Sequence, residues 1–128
     1  MKLTKIQALR AYAKMINTRN AAHLEPLLRE DFHYASQWVF DEIRSKQAYL
    51  DYIKPKLEAI SEAQVGVWAE MGKHLGDSRS PCIVMAQESR DNLISTVFVE
   101  IKGGLISRFD MCLVPSTSEV TRTGEYPE

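Results

Sequence analysis

The sequence predicts one α+β domain in which helices come first and an antiparallel sheet follows. Apolar residues recur at three- and four-residue spacing through much of the first 63 positions, the pattern of amphipathic helices. Beyond residue 63 the pattern changes to period two, and four strand-like runs are separated by short turn sequences. A chain of 128 residues suits a single domain with its own core.

The N-terminal segment predicts a long helix and then a shorter one. Thr4 followed three residues later by Gln7 is a capping-box pattern, and it precedes a stripe made of Ile6, Leu9, Ala13 and Ile16. A second helix is predicted over residues 21–29. Pro26 lies within it and lacks a backbone N–H, so we expect a tight turn before it or a kink.

The next segment predicts a strand and a third helix. Residues 32–40 are rich in aromatic and β-branched side chains and alternate in polarity, as in a strand. Residues 41–44 make a turn or a short returning strand. Ser45 can cap a helix, which Pro55 should kink and whose apolar stripe is Tyr49, Ile53, Leu57 and Ile60.

The remaining sequence predicts a four-stranded antiparallel meander. Gly103 and Gly104 suit a two-residue turn that requires positive φ. We place a single domain over residues 1–114 and a polar tail, loosely ordered or packed on a partner, over residues 115–128. The four predicted strands are 65–75, 82–88, 93–102 and 105–114.

Composition restricts the class of protein. The net charge is −1, from 16 basic and 17 acidic residues, and no basic run suggests a nucleic-acid partner. No apolar segment predicts a signal sequence or a membrane span. Cys82 and Cys112 are predicted to be buried free thiols in a reducing compartment, which indicates the cytoplasm.

The last predicted strand has two faces, and neither is simply polar. Leu105, Phe109 and Met111 share one face with Leu113, whereas the other carries Ile106, Arg108, Asp110 and Cys112. Helices should cover one of these faces. A second subunit could cover the other, because a bare apolar face of this size is unusual on a monomer. We therefore predict a homodimer through the sheet.

Three stretches carry a family resemblance: residues 11–17 in the first helix, 27–32 before the first strand and 103–110 in the last hairpin. They resemble the nuclear transport factor two-like superfamily, and specifically its SnoaL-like branch, and residues 36–40 with 49–53 look like those of its uncharacterised bacterial members. This resemblance spans residues 4–114 and implies a cone-shaped α+β barrel of the cystatin-like type, with a pocket inside the curved sheet. Because this fold hosts many chemistries, the resemblance is informative about architecture more than about activity.

The resemblance also suggests roles for particular residues. Tyr12 matches the first-helix tyrosine that polarises the substrate carbonyl in ketosteroid isomerases, although Ser36 and Val97 stand where those enzymes have aspartates. Asp110 matches the last-strand aspartate of limonene epoxide hydrolases and of SnoaL-type polyketide cyclases. The arginine-x-aspartate pair of the hydrolases and the histidine of the cyclase motif have no counterpart here.

The chemistry of the residues leads to the same candidates. Asp110 in a dry pocket would act as a general base, whereas a pair with Arg108 would make it structural. Arg108 could instead bind an anionic or enolate oxygen. Tyr12 is the second tentative catalytic group, and the candidate ligand-binding residues are Tyr34, Ser36, Trp38 and Arg108.

No metal or cofactor site is predicted, because His23, His33 and His74 lack ligand spacing and no phosphate-binding loop occurs. The leading function is binding of a small, mostly apolar molecule, with proton transfer of the isomerase, cyclase or dehydratase type as an added hypothesis. The alternative is a non-catalytic ligand-binding or protein-interaction module. An open cavity would favour binding or catalysis, and an interior filled by side chains would favour interaction.

Overall fold

The computed structural model describes residues 3–37, 41–74, 81–112, 117 and 120–128. Two α-helices and two short 3-10 helices pack on a six-stranded, curved sheet that does not close, because β1 (Leu28–Ser36) and β6 (Val120–Arg122) form its edges. The predicted α+β class is therefore confirmed. Along the part of the chain described, no helix combines the length and the apolar character needed to cross a membrane.

Helix α1 (Lys5–Thr18) forms as its sequence predicts. The Thr4 side chain accepts from the Gln7 backbone N–H, and the Gln7 side chain accepts from the Thr4 N–H, which completes the capping box. The helix ends at Arg19, which adopts a left-handed conformation. Its apolar face is buried against the sheet, where it mainly contacts β2 (Val67–His74).

The prediction of a helix over residues 21–29 is wrong. Two 3-10 helices, Ala21–His23 and Glu25–Leu27, replace it, and β1 begins at Leu28 rather than at residue 32. Pro26 stands at the start of the second of these turns, where its missing N–H costs nothing. Strand pairing then extends β1 toward its N-terminus, because Leu28 pairs with Ile106.

Helix α2 (Lys46–Ala63) is capped by Ser45, whose side chain accepts from the Ala48 backbone N–H. The helix continues through Pro55 without interruption. Just before it, Ile43 pairs with Tyr34 in an isolated antiparallel bridge, which is the short returning segment expected there. This bridge ties the start of α2 to the edge strand of the sheet.

The predicted meander is confirmed. Its strands are β2, β3 (Cys82–Gln87), β4 (Leu93–Lys102) and β5 (Leu105–Cys112), and each pairs antiparallel with the next. Gly103 and Gly104 have φ of +63° and +79°, as the two-residue turn requires. Strand β1 lies parallel to β5, so the sheet order is β1-β5-β4-β3-β2-β6.

The expectation of a loosely ordered tail after residue 114 is wrong for residues 120–128. Strand β6 pairs antiparallel with β2 and extends the sheet. The chain beyond it also binds the domain, since the Met71 backbone N–H donates to the Glu125 carbonyl and the Asn17 amide donates to the Pro127 carbonyl. These residues satisfy backbone groups that would otherwise remain open at the sheet edge.

The two faces of the sheet carry different cores. The inner face packs on the helices and contains the main apolar cluster, whereas the outer face carries a small cluster of Cys82, Phe98 and Cys112 with Val120 packed against it. Both cysteines are buried, as predicted. Phe98 and both cysteines are buried within one chain, and the homodimer through the sheet stays a prediction.

A bulge in β5 changes the predicted assignment of faces. The register with β4 shifts between Glu100 and Ile101, so that Ile101 pairs with Ile106 and Glu100 pairs with Arg108. The bulge brings Ile106 into the inner core together with Phe109, against the prediction that these two residues lie on opposite faces. Leu105, predicted to share the face of Phe109, is exposed instead.

Candidate functional site

An apolar cavity lies between α2, α1 and the inner face of the sheet. Its volume is about 520 Å³, within the range typical of small-molecule pockets. Exposed residues mark its mouth, and we define the mouth as Lys56, Ala59, Ala63 and Gln87. The remaining lining residues are Tyr12, Ile16, Tyr34, Ile53, Leu57, Ile60, Val65, Val67, Met85, Ile94 and Met111.

The periodicity of the sequence explains this lining. Ile53, Leu57 and Ile60 recur at helical spacing and place one face of α2 along the cavity. On the strands, alternate residues such as Met85 and Met111 point inward. Flexible methionine side chains and aliphatic chains therefore form most of the surface that a ligand would contact.

Two tyrosines supply polar groups to this apolar wall. The Tyr12 ring packs on Phe109 with centroids 4.8 Å apart, and the residue lines the cavity. Burial raises the pKa of Tyr12 well above its ordinary value, and the nearby tyrosines Tyr49, Tyr34 and Tyr52 add to the effect. The Tyr12 hydroxyl is therefore a neutral donor at physiological pH.

Tyr34 is the second of these groups. Its hydroxyl donates to the Met111 sulfur at 3.7 Å. Burial raises the pKa of Tyr34. Ser36, two residues further along β1, forms a side-chain hydrogen bond with Tyr34 but does not itself line the cavity. Trp38, the other aromatic residue predicted for the pocket, lies outside the described residues.

Asp110 and Arg108 do not lie in the cavity. They are on β5 next to Phe109 and Met111, which face inward, so their own side chains point to the outer face. Arg108 Nε donates to both carboxylate oxygens of Asp110, at 3.0 and 3.1 Å. The structure thus brings the two predicted residues together as a pair, but it separates them from Tyr12 and Tyr34.

The pair belongs to a polar network that the sequence did not reveal, which we call the outer network and define as His33, Glu42, Arg108 and Asp110. Arg108 Nη1 donates to Glu42 Oε1, and His33 Nδ1 lies 3.2 Å from the same oxygen. Burial acts to raise the pKa of Glu42, but hydrogen bonds from His33 and Arg108 outweigh it and lower that pKa. His33 alternates with Tyr34 along β1 and faces away from the cavity.

Lys56 is the functional candidate that the sequence reasoning missed. Its Nζ donates to the Tyr52 hydroxyl at 2.9 Å and lies 5.2 Å from the centroid of the Tyr52 ring. The signal was present in the helical pattern, since Lys56 follows Ile53 by three residues and precedes Ile60 by four. Among the residues that the structure describes, it is the one charged side chain in the cavity lining.

The described cavity lining has hydrogen-bond donors and a cation, but no carboxylate or imidazole. Within the described ranges, no three His, Cys, Asp or Glu side chains come together as metal ligands. A general base must lie within hydrogen-bond reach of the proton that it removes. This arrangement can hold an apolar molecule and donate a hydrogen bond to it.

Comparison with known proteins shows the fold. No protein-family model matches the sequence, and no curated protein matches it. An NTF2-like protein of unknown function from Cytophaga hutchinsonii shares 12% identity at a TM-score of 0.59, covering 88% of this chain and 91% of that one. A hypothetical protein with a ketosteroid isomerase-like fold from Catenulispora acidiphila, in complex with trimethylamine, shares 13% at 0.58, covering 85% and 86%.

A third similar structure is an LEH-like epoxide hydrolase from M. tuberculosis, with 15% identity and a TM-score of 0.53, covering 84% of this chain and 82% of that one. At these identities the likeness establishes architecture alone. The chain therefore has the nuclear transport factor two-like fold that its sequence resembles. The three proteins differ in what their names say of their activity, so they do not select one for this chain.

Proposed function

We propose that the protein binds a small, mostly apolar molecule in the cavity between α2 and the inner face of the sheet. The observation that carries the proposal is the cavity of about 520 Å³, with aliphatic walls and the buried Tyr12 hydroxyl among its lining. Burial of apolar ligand surface supplies the affinity, and the hydroxyl supplies orientation. The ligand class is a compact hydrophobic molecule with a hydrogen-bond acceptor, such as a carbonyl or ether oxygen.

Binding is favoured over proton transfer by the position of the carboxylates. Asp110, the proposed general base, faces away from the cavity and is hydrogen-bonded to Arg108. The cavity lining that the structure describes offers tyrosine hydroxyls and Lys56 instead. We therefore place Asp110 and Arg108 in a structural pair, and we assign ligand contact to Tyr12 and Tyr34.

The experiment is a titration with N-phenylnaphthylamine, a neutral dye that fluoresces when it enters an apolar site. Ile94→Trp would fill the cavity, because Ile94 lines it. Leu93→Trp is the matched control, since Leu93 is the preceding residue and does not line the cavity. We expect saturable binding by the wild-type protein and by Leu93→Trp, and loss of at least tenfold in affinity in Ile94→Trp. Equal binding by both variants would refute the cavity as the site.

The homodimer through the sheet and the cytoplasmic location stay predictions of the sequence. The sequence contains two cysteines, too few for a disulfide framework, and this count is what favours a reducing compartment. For the dimer, sedimentation at micromolar concentration is the test. A mass near 29 kDa, twice the 14.6 kDa of one chain, would support it, and a mass of one chain would reject it.

A further inference from the structure

We propose that the ligand is an apolar anion whose charged group binds Lys56 at the mouth of the cavity while its hydrophobic body fills the interior. This inference rests on the proposed function and adds the charge of the ligand to it. The chemical class is a small hydrophobic carboxylate or sulfonate.

The charge distribution around the cavity is the first argument. Lys56 is the one charged residue in the lining that the structure describes, and it makes no ion pair with any described residue. The acidic residues of the same helix, Asp51, Glu58 and Glu62, do not line the cavity. A ligand that enters past Lys56 therefore meets a single positive charge at the entrance and an uncharged wall beyond it.

Lys54, unlike Lys56, is paired with a carboxylate of the protein. Lys54, two residues earlier on α2, has its Nζ 3.0 Å from Glu25 Oε1 and does not line the cavity. Its charge is thus matched by a carboxylate of the protein itself. The charge of Lys56 has no such match among the described residues, and an anionic ligand would provide one.

Contacts with Tyr52 hold the exposed Lys56 side chain beside the mouth of the cavity. Its Nζ donates to the Tyr52 hydroxyl, and the Tyr52 ring packs on Tyr34 with centroids 5.8 Å apart. Tyr34 in turn lines the cavity. These contacts reduce the side-chain entropy that Lys56 would lose on binding an anion. The ammonium has two further N–H donors available for a ligand oxygen.

The test compares two dyes that share one apolar skeleton. Anilinonaphthalene sulfonate carries a negative charge, whereas N-phenylnaphthylamine is its neutral parent. We expect Lys56→Gln to weaken sulfonate binding by about fivefold, the effect of one partly screened charge pair, and to leave the neutral dye unchanged. Lys56→Glu should weaken sulfonate binding further, whereas Lys56→Arg keeps the positive charge and should bind the sulfonate as the wild type does. Lys54→Gln is the matched control and should change neither affinity.

The outcomes separate this inference from the proposed function. If both dyes bind in a manner that Ile94→Trp abolishes, but Lys56→Gln leaves the sulfonate affinity unchanged, the anion inference fails and cavity binding stands. If Lys54→Gln weakens the sulfonate as much as Lys56→Gln does, the effect is one of overall charge and the inference also fails. If neither dye binds in the cavity, both proposals fail. Raised salt should reduce only the Lys56-dependent part of the affinity.

Discussion

In the proposed function, the Tyr12 hydroxyl orients the ligand. Because burial raises its pKa, the hydroxyl stays protonated and can donate to an acceptor atom of the ligand. We predict that Tyr12→Phe weakens binding of acetylnaphthalene, a ketone, by about tenfold, the value of one hydrogen bond in an apolar site. Ethylnaphthalene lacks the acceptor and should bind both proteins equally, as measured by displacement of the neutral dye. Equal losses for both compounds would show that the ring, and not the hydroxyl, matters.

The buried Tyr49 hydroxyl lowers the stability of the fold. The residue is fully buried on α2 against Phe32 and Tyr34, and its hydroxyl has no hydrogen-bond partner among the described residues. An unsatisfied buried polar group costs about 1–3 kcal/mol. We predict that Tyr49→Phe raises the free energy of unfolding by about 1 kcal/mol in urea denaturation. A loss of stability in this variant would mean that the hydroxyl is bonded after all.

At the residue scale, the sequence predicted which side chains alternate but not which face is inside. Alternation correctly separated Asp110 from Phe109 and His33 from Tyr34. Both faces of β5 carry apolar side chains, so the pattern alone could not show that Phe109 packs on Tyr12 and that Asp110 points outward. The partners of Asp110 could not be predicted either, because Glu42 reaches Arg108 from a segment 66 residues away in sequence.

At the scale of elements, the segment that leads into α2 is attached to the sheet by the outer network. Glu42 receives hydrogen bonds from Arg108 and His33, and these lower its pKa below the ordinary 4.5. A carboxyl whose pKa is lower in the folded state stabilises the protein above its unfolded pKa. That contribution disappears as the pH falls through the folded pKa.

We predict that Glu42→Gln lowers the free energy of unfolding by about 1 kcal/mol at pH 7, a modest value because solvent screens the network. The difference from the wild type should shrink as the pH falls below about 4.5 and the wild-type carboxyl becomes protonated. Urea midpoints of both proteins at several pH values measure this. A difference that does not change with pH would show that the charge of Glu42 contributes nothing.

The C-terminal element depends on a buried carboxylate. The Glu70 side chain is 4% exposed, and it accepts from Arg122 Nε at 2.8 Å, from the Gly124 backbone N–H and from the Tyr126 hydroxyl. The sequence did not predict this element, because residues 120–128 are polar and carry no apolar period. The segment is fixed by ionic and backbone hydrogen bonds, which leave no periodic signal.

We predict that Arg122→Ala lowers the free energy of unfolding by about 2 kcal/mol, since it leaves the buried Glu70 without its cation. Arg10→Ala is the matched control. Its ion pair with Glu125 joins the same segment, but both side chains are exposed and solvent screens their charges, so the loss should be much smaller than in Arg122→Ala. Guanidinium denaturation of the two variants measures the contrast. Equal losses in the two variants would mean that the buried pair of Arg122 and Glu70 stabilises this segment no more than the exposed pair does.

At the scale of the whole molecule, one sheet serves two purposes. Its inner face, with α1 and α2, encloses the cavity, and its outer face carries the outer network and the small cluster around Phe98. The fold was predictable because helical and strand periodicities extend over many residues. A pocket was expected from the resemblance, but its volume was not predictable, because the volume depends on how far the sheet curves away from α2, a distance that no local pattern encodes.

A molecule that binds only the folded protein must raise its stability by mass action. At a free concentration of one hundred times Kd the gain is about 2.7 kcal/mol, which for a domain of this size corresponds to a melting temperature about 10 °C higher. We predict such a shift with N-phenylnaphthylamine in the wild type and in Leu93→Trp, and none in Ile94→Trp, by differential scanning calorimetry. A lower melting temperature with the dye would contradict this prediction, since it would mean that the dye prefers the apolar surface of the unfolded chain to the cavity of the native one.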